Sequence, residues 1–275
     1  MEKTGIIAGS GQFPRLVAQE IRARGGQAYI CGFKGHTAPD LADYATAFTM
    51  LSLGQLGKLI SFFKNNEVRQ LCMAGAIHKP KALSLRPDLR AARLFMRIRN
   101  APGDDAILRS FAEELAREGI EVVQAAELVP SLRGPAGVLT ARPPDAEDWQ
   151  AIRRGWAVAE VVGSLDIGQC LVMLKQTAVA VEAMEGTDAT LRRGGELAGP
   201  GCLALKMCKP GQDLRLDLPA IGLTTLEILA EYRYSCLAYE AEKTLFFDRD
   251  NCIALANKYK IALVGLVPED LAEKL

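Results

Sequence analysis

Residues 4–33 read T-G-I-I-A-G-S-G-Q-F-P-R-L-V-A-Q-E-I-R-A-R-G-G-Q-A-Y-I-C-G-F, and the order of residue types in them decides the fold class. Thr4 to Ala8 is a short apolar run of the buried-strand type, and Gly9-Ser10-Gly11-Gln12 is a glycine turn. Pro14 stands where a first helical turn tolerates proline, and Leu16, Val17 and Ile21 give the following helix one apolar face. Gly25-Gly26 ends that helix and Gln27 to Cys31 is the next strand. A strand, helix and strand in this order open a parallel α/β sheet.

Gly9 and Gly11 make half of a dinucleotide fingerprint, but the third glycine is missing and Ile30 to Lys34 holds no acidic residue for a ribose hydroxyl. This argues against a classical NAD site. A glycine turn at a helix N-terminus still offers N–H groups to an anion, so Gly9, Ser10, Gly11, Gln12 and Phe13 are candidate phosphate or nucleotide contacts. The competing reading is a tight turn and nothing more. A second helix is expected over Gly54 to Asn66 and a third buried strand over Gln70 to Ala74. Its carboxyl end runs into Gly75-Ala76-Ile77-His78-Lys79, and in a parallel sheet that end borders the ligand crevice. Gly75 and Lys79 join the candidates beside the glycine turn; for His78 and Lys79 an exposed loop is the alternative.

Residues 80–100 mix Arg86, Arg90, Arg93, Arg97 and Arg99 with Leu89, Leu94, Phe95 and Met96, an amphipathic basic helix that is either a solvated face or a surface drawn to an anionic partner. Gly103-Asp104-Asp105 reads as the cap of a further helix that Gly119 ends, and Ile120 to Gln124 as a strand. Prolines and glycines then crowd into residues 130–144. The expected division is a Rossmann-like domain over 1–131, a linker over 132–145 and a mixed α/β catalytic domain over 146–275.

In the second half a helix runs from Asp145 to about Gly163, followed by strands at Leu171 to Lys175 and Thr177 to Met184. Strand geometry places Ala178, Ala180, Glu182 and Met184 on one face, where a carboxylate needs a partner. Glu185-Gly186-Thr187-Asp188 follows, a turn that either caps a helix or offers carboxylates and a hydroxyl to a divalent ion and a phosphate. Residues 206–222 read K-M-C-K-P-G-Q-D-L-R-L-D-L-P-A-I-G, a strand, turn and strand packed with Lys206, Lys209, Asp213, Arg215 and Asp217. Cations hold phosphate oxygens and carboxylates hold a metal or a water, so this stretch points to phosphate chemistry, with a solvated, charge-paired hairpin as the plain alternative.

Composition narrows the classes. Of 275 residues 49% are hydrophobic and 24% charged, a globular profile, and 33 cations balance 33 anions, so no global field draws nucleic acid. The seven cysteines lie mostly in apolar runs without a C-x-x-C pair, which favours reduced buried thiols, and two distant histidines argue against zinc or Ser-His-Asp chemistry. No apolar run approaches a membrane span or a signal peptide, so a cytoplasmic location is expected, with peripheral binding at a membrane surface left open.

Taken together, G-I-I-A-G-S-G-Q-F-P at 5, G-D-D-A at 103, L-D-I-G-Q at 165, V-E-A-M-E-G-T-D at 181 and K-P-G-Q-D-L-R-L-D-L-P-A-I-G at 209 resemble the LpxI family, the UDP-2,3-diacylglucosamine pyrophosphatases of lipid A synthesis. The resemblance spans essentially the whole chain. It implies an N-terminal Rossmann-like domain, a C-terminal domain with a ligand cleft between the two, and hydrolysis to UMP and 2,3-diacylglucosamine 1-phosphate (lipid X) with magnesium. It marks Asp217 as essential, Asp213 in support, and with them the expected catalytic set is Asp217, Asp213, Glu182, Glu185 and Asp188. Asp217 and Asp188 are the expected metal ligands. Thr187, Lys206, Lys209, Gln212 and Arg215 complete the substrate contacts. A homodimer is an open partner call. The alternative functions are a non-catalytic carrier of a phosphorylated glycolipid and a nucleotide-dependent enzyme of another class.

Overall fold

The computed structural model describes residues 1–77, 87–98 and 103–267, and of residues 103–105 the backbone only. The described residues fall into two compact units: those up to Pro130 together with Asp213–Asp217, and those from Ser131 to Gln212 together with those from Leu218 on.

The first unit is Rossmann-like. Its strands β1 (Lys3–Ala8), β2 (Gln27–Phe33), β3 (Ala47–Leu51), β4 (Gln70–Ala74) and β5 (Glu121–Val122) form an all-parallel sheet in the order β3-β2-β1-β4-β5. Helices α1 (Phe13–Ala23), α2 (Leu56–Asn65), α3 (Leu89–Ile98), α4 (Gly103–Arg117) and the short α5 (Ala125–Leu128) make the connections. Helix α1 turns Val17, Ala18 and Ile21 inward, and Gly25, at φ +76°, lies just past its end. Phe63, Leu71, Leu115 and Ile120 are sealed in the core. Gly5 is set by packing, because a Cβ there would come within 2.7 Å of the Leu71 side chain. Strand order reverses between β1 and β4, so the crevice of this sheet opens at Ala8 and Ala74. Two expectations change. Strand β3, half-buried with Thr49 among its apolar residues, adds to the sheet unannounced by any clear alternation, and β5 is only two residues long.

The second unit carries a mixed sheet in the order β6-β13-β11-β9-β7-β8. Its strands are β6 (Gly137–Val138), β7 (Cys170–Leu174), β8 (Thr177–Val181), β9 (Leu203–Lys206), β11 (Cys236–Glu240) and β13 (Ala262–Leu266). Strands β9, β11 and β13 are mutually parallel, β7 is antiparallel to β8 and β9, and β6 is antiparallel to β13. Two short strands, β10 (Ala220–Ile221) and β12 (Leu245–Phe246), pair in parallel outside it. Side chains alternate between the two faces as the pleat requires. Leu203, Leu205, Cys236 and Ala238 meet helix α6 (Ala146–Ser164) on one face. Ala204, Leu237 and Leu263 meet α7 (Thr187–Ala198), α8 (Leu223–Glu231) and α9 (Arg249–Tyr259) on the other. Helix α6 starts in a capping box, in which Asp145 accepts from Asp148 N at 2.9 Å while Asp148 accepts from Asp145 N at 3.2 Å. Residues 132–145, read from their prolines and glycines as a linker, supply strand β6 and the Thr140 hydroxyl that accepts from Leu263 N at 2.9 Å.

The stretch Lys206 to Gly222 is not a hairpin. It begins on β9 and ends on β10, but β10 pairs with β12, and the residues between leave the second unit. The reason lies in its alternation: Leu216 is buried in the apolar core of the first unit together with Leu71, Leu115 and Val122. All seven cysteines are among the described residues; each is buried and none forms a disulfide. No helix of the described residues is long and apolar enough to cross a membrane.

Leu216 thus ties the segment down through burial alone. The substitution Leu216→Ala should lower unfolding stability by about 2–4 kcal/mol, read as a drop in the urea midpoint. An unchanged midpoint would mean that the segment does not pack as described.

Candidate functional site

The carboxyl edge of the second sheet gathers the functional side chains. Lys206 is the last residue of β9, flanked in the sheet by Cys170 of β7 and Tyr239 of β11. Glu182 follows β8, its backbone N–H donating to Cys170 O at 2.9 Å. Ala180 and Ala204, each two residues earlier, pack into the core beneath α7, so the alternation carries Glu182 and Lys206 to that same face. Both are buried, with 7% and 5% of their surface exposed.

Buried charges need partners, and here one hydroxyl serves both. Lys206 Nζ donates to Thr187 Oγ1 at 3.1 Å and to Ala220 O at 2.6 Å. Thr187 Oγ1 in turn donates to Glu182 Oε1 at 3.1 Å. Burial pushes the Glu182 carboxyl above its ordinary range, while the Lys206 charge and the Thr187 hydroxyl pull the other way. Glu182 Oε2 and the nearby Gln169 Oε1 have no hydrogen-bond partner. Thr187 opens α7, whose N-terminal end carries partial positive charge, and Gly186 before it is held at φ +82°, a conformation that suits glycine. One cation, Lys206, and the anion-seeking N–H groups of the first turn of α7 therefore lie beside a carboxylate, in a place where phosphate oxygens can be bound and a proton moved.

The other acids of the turn have different tasks. Glu185 accepts from Arg193 Nη2 at 2.5 Å and from Ala183 N at 3.2 Å, and its own backbone N–H, with these two donors, lowers its pKa. It clasps the turn to α7. Asp188 lies exposed in the first turn of α7, so the helix is capped by the backbone of Gly186 and no side chain. On the same edge Lys209 Nζ pairs with Asp166 Oδ1, and Gln212 Oε1 accepts from Lys209 N at 3.0 Å. The sequence gives no separate signal for Glu240, at the carboxyl end of β11, beyond its place after C-L-A-Y. It is buried, accepts from Cys208 N at 3.0 Å and pairs with Lys243 at 2.7 Å.

In the first unit the two strand-end turns are stitched together. Gly9 N donates to Ala74 O, Ser10 N to Ala76 O and Ser10 Oγ to Ala76 O, at 2.8, 2.8 and 3.0 Å. Gly75 takes φ +86°, and a Cβ on it would meet Ser10 O at 2.4 Å, so glycine is required there. Gly11, Gln12 and Phe13 lead into α1. His78 and Lys79 lie outside the described residues. Asp213, Arg215 and Asp217 belong to this unit too, but at the other end of its strands. Asp213 and Arg215 form a bidentate pair, Nε to Oδ1 at 2.9 Å and Nη2 to Oδ2 at 2.6 Å, which holds the Asp213 carboxyl below its usual range. The pair lines a groove of about 670 Å³ with Arg69, Arg109, Glu113 and Glu121, at the amino ends of β4 and β5. Asp217 is exposed. Within the first unit the glycine turns and the Asp213–Arg215 pair stand at opposite ends of strands about 17 Å long; Glu182, Thr187 and Lys206 belong to the second unit. Asp213–Asp217 goes with the first unit because Leu216 is buried in that unit's core.

For a metal, no three His, Cys, Asp or Glu side chains among the described residues gather as a binding group. The two partnerless oxygens, Glu182 Oε2 and Gln169 Oε1, are of the hard type that magnesium takes together with waters and phosphate oxygens.

The comparisons with known proteins agree over the whole chain. The LpxI N-terminal domain family matches residues 3–132 and the LpxI C-terminal domain family matches residues 135–264. The UDP-2,3-diacylglucosamine pyrophosphatase LpxI of Caulobacter vibrioides is 32% identical over 98% of this chain and 99% of its own length. Among solved structures, the biotin carboxylase domain of Hydrogenobacter thermophilus 2-oxoglutarate carboxylase aligns at a TM-score of 0.27 and 10% identity, over 72% of this chain and 41% of that one. Campylobacter jejuni biotin carboxylase gives 0.28 and 12%, over 72% and 42%. Likenesses that low carry no weight for fold or site.

The balance around Glu182 has a measurable sign. A carboxyl whose folded pKa is raised favours folding in its protonated form, and that contribution is lost as pH rises through the folded value. Relative to wild type, Glu182→Gln should therefore gain stability between pH 5 and pH 8, read as the difference of melting temperatures. A difference that stays constant or falls with pH would contradict the burial described.

Proposed function

The chain belongs to the LpxI family, and on that premise we propose that it hydrolyses the pyrophosphate of UDP-2,3-diacylglucosamine to UMP and 2,3-diacylglucosamine 1-phosphate in lipid A biosynthesis. The observation that carries the reading is the buried Lys206–Thr187–Glu182 chain at the N-terminus of α7.

Lys206 and the first turn of α7 hold non-bridging phosphate oxygens and offset the charge that builds on them during attack. Glu182 takes the proton of the attacking water. The new bond forms between that water oxygen and phosphorus, and the electron pair of the broken bond leaves on the bridging oxygen. Burial makes Glu182 a stronger base than an exposed carboxylate, and Thr187 fixes its orientation through Oε1 so that Oε2 faces the water. In the second unit Lys209 and Gln212 contribute further substrate contacts; in the first, the strand-end turns with Gly9 to Phe13 and Gly75 are a separate candidate anion contact. Asp217 is proposed as the essential residue that the family pattern makes it, supported in its own segment by Asp213 through its hold on Arg215, while Glu185 steadies the turn before α7 through its hold on Arg193. Magnesium, when bound, would supply positive charge to the phosphate oxygens, and in the second unit Gln169 and Asp188 are the oxygen donors proposed for it. The substrate carries two acyl chains, so we place the protein in the cytoplasm, working peripherally at the inner membrane, as a monomer or a homodimer.

Pure protein incubated with detergent-dispersed UDP-2,3-diacylglucosamine should release UMP in step with lipid X when magnesium is present, and EDTA should stop it. Glu182→Gln and Asp217→Asn should each lower kcat by about 10²-fold or more with the circular dichroism spectrum unchanged. Tight lipid binding with no UMP under any divalent ion would make the protein a carrier instead.

A further inference from the structure

Helix α3 has an outward face that the chemistry above does not use. Ala91 and Leu94 point into the first unit's core, whereas Leu89 and Met96 are 80% and 68% exposed. Spacings of four and three residues put Leu89, Arg93 and Met96 on one stripe along the helix, with Arg93 exposed between the two apolar side chains. Arg90 and Arg97 run beside the stripe, towards α4. Both reach Glu114, Arg90 at 3.1 Å and Arg97 at 2.7 Å, and Arg117 joins them at 2.9 Å. These arginines border an open groove of about 890 Å³ between the two helices. Lys64 and Arg90 share Glu118, and Glu113 pairs with Arg117, so the cations of the face outnumber its carboxylates and Arg93 is left facing outward.

Exposed long apolar side chains in line with arginines are the two elements of reversible attachment to an anionic bilayer: apolar groups enter the acyl boundary and cations meet lipid phosphates. Arginine suits the second part because its planar guanidinium can satisfy a carboxylate on one edge and a phosphate on the other. We propose that the outer face of α3, with Arg90, Arg93, Arg97 and the Leu89–Met96 pair, docks on the surface of an anionic phospholipid bilayer. The proposal rests on the reading of a diacylated substrate, since docking brings the enzyme to the phase in which such a substrate resides. Charge complementarity selects the bilayer as the occupant; a protein partner would be expected to cover Leu89 and Met96 with an apolar surface insensitive to salt.

The test is flotation of the full-length protein with vesicles of phosphatidylcholine alone or with one quarter phosphatidylglycerol, at 50 and 500 mM NaCl. Wild type should float with the mixed vesicles at 50 mM and be released from them at 500 mM. Arg93→Ala should weaken partitioning about fivefold, and Leu89→Ser/Met96→Ser should weaken it at least as much. UMP release from detergent-dispersed substrate should be unchanged in both variants, which shows that they fold. Failure of wild type to float, equal flotation with phosphatidylcholine alone, or variants that float like wild type would each overturn the docking proposal. Absence of UMP from every preparation would instead overturn the hydrolase reading, so the two failures are distinguishable.

Discussion

Burying an ammonium and a carboxylate at the edge of a sheet is unfavourable unless each is hydrogen-bonded, and the second unit is arranged to meet that constraint for Lys206 and Glu182. The two residues lie on strands that run in the same direction with β7 between them, so their carboxyl ends reach one edge. The crossover from β8 to β9 must be a helix that begins at that edge, and α7 does so at Thr187, whose hydroxyl links the two charges. The second acceptor for Lys206, the carbonyl of Ala220, is provided by β10. Small neighbours on the strands, Ala180 and Ala204, leave the room beneath α7, and Gly194 is set there because a Cβ would come within 2.7 Å of Val172.

The first unit applies the same rule of strand ends with a different result. Its crevice at Ala8 and Ala74 is closed by backbone hydrogen bonds between two glycine turns, which fixes their shape without any charged side chain. Its charges sit elsewhere, in the Asp213–Arg215 pair and the arginines around Glu114. A chain with balanced total charge thus acts through local fields, each made by a few groups in partial burial, where attraction is less screened than at the open surface.

What the sequence revealed follows from how local each feature is. The opening βαβ unit, the helix capped at Asp145 and the shared face of Ala180 and Glu182 rest on neighbours in the chain, and all are present. The same pattern failed at Asp213 to Asp217, because alternating leucines specify that a residue is buried but not in which core. Strand β3 escaped notice because a half-buried strand on the sheet's outer edge shows little alternation. Glu240 and Gln169 acquire meaning only from strands distant in sequence, so no spacing rule could have named them. The three acids within seven residues differ in surroundings that spacing alone does not show: Glu182 is buried, Glu185 is clasped by arginine and Asp188 is exposed.

The state of Glu182 is a compromise between opposed effects, and both are necessary. Burial raises the carboxyl above its ordinary range and so strengthens it as a base. The Lys206 charge and the Thr187 hydroxyl act in the opposite direction and hold that rise in check. Thr187 keeps the lysine at one remove: it transmits orientation by its two hydrogen bonds while preventing a direct ion pair, and so leaves Oε2 uncommitted. A serine could make both bonds, but without the methyl group its hydroxyl would turn more freely, whereas a β-branched side chain at the first position of a helix is restricted about χ1. The identity of residue 187, no less than that of 182 and 206, therefore sets how strongly the carboxyl is held.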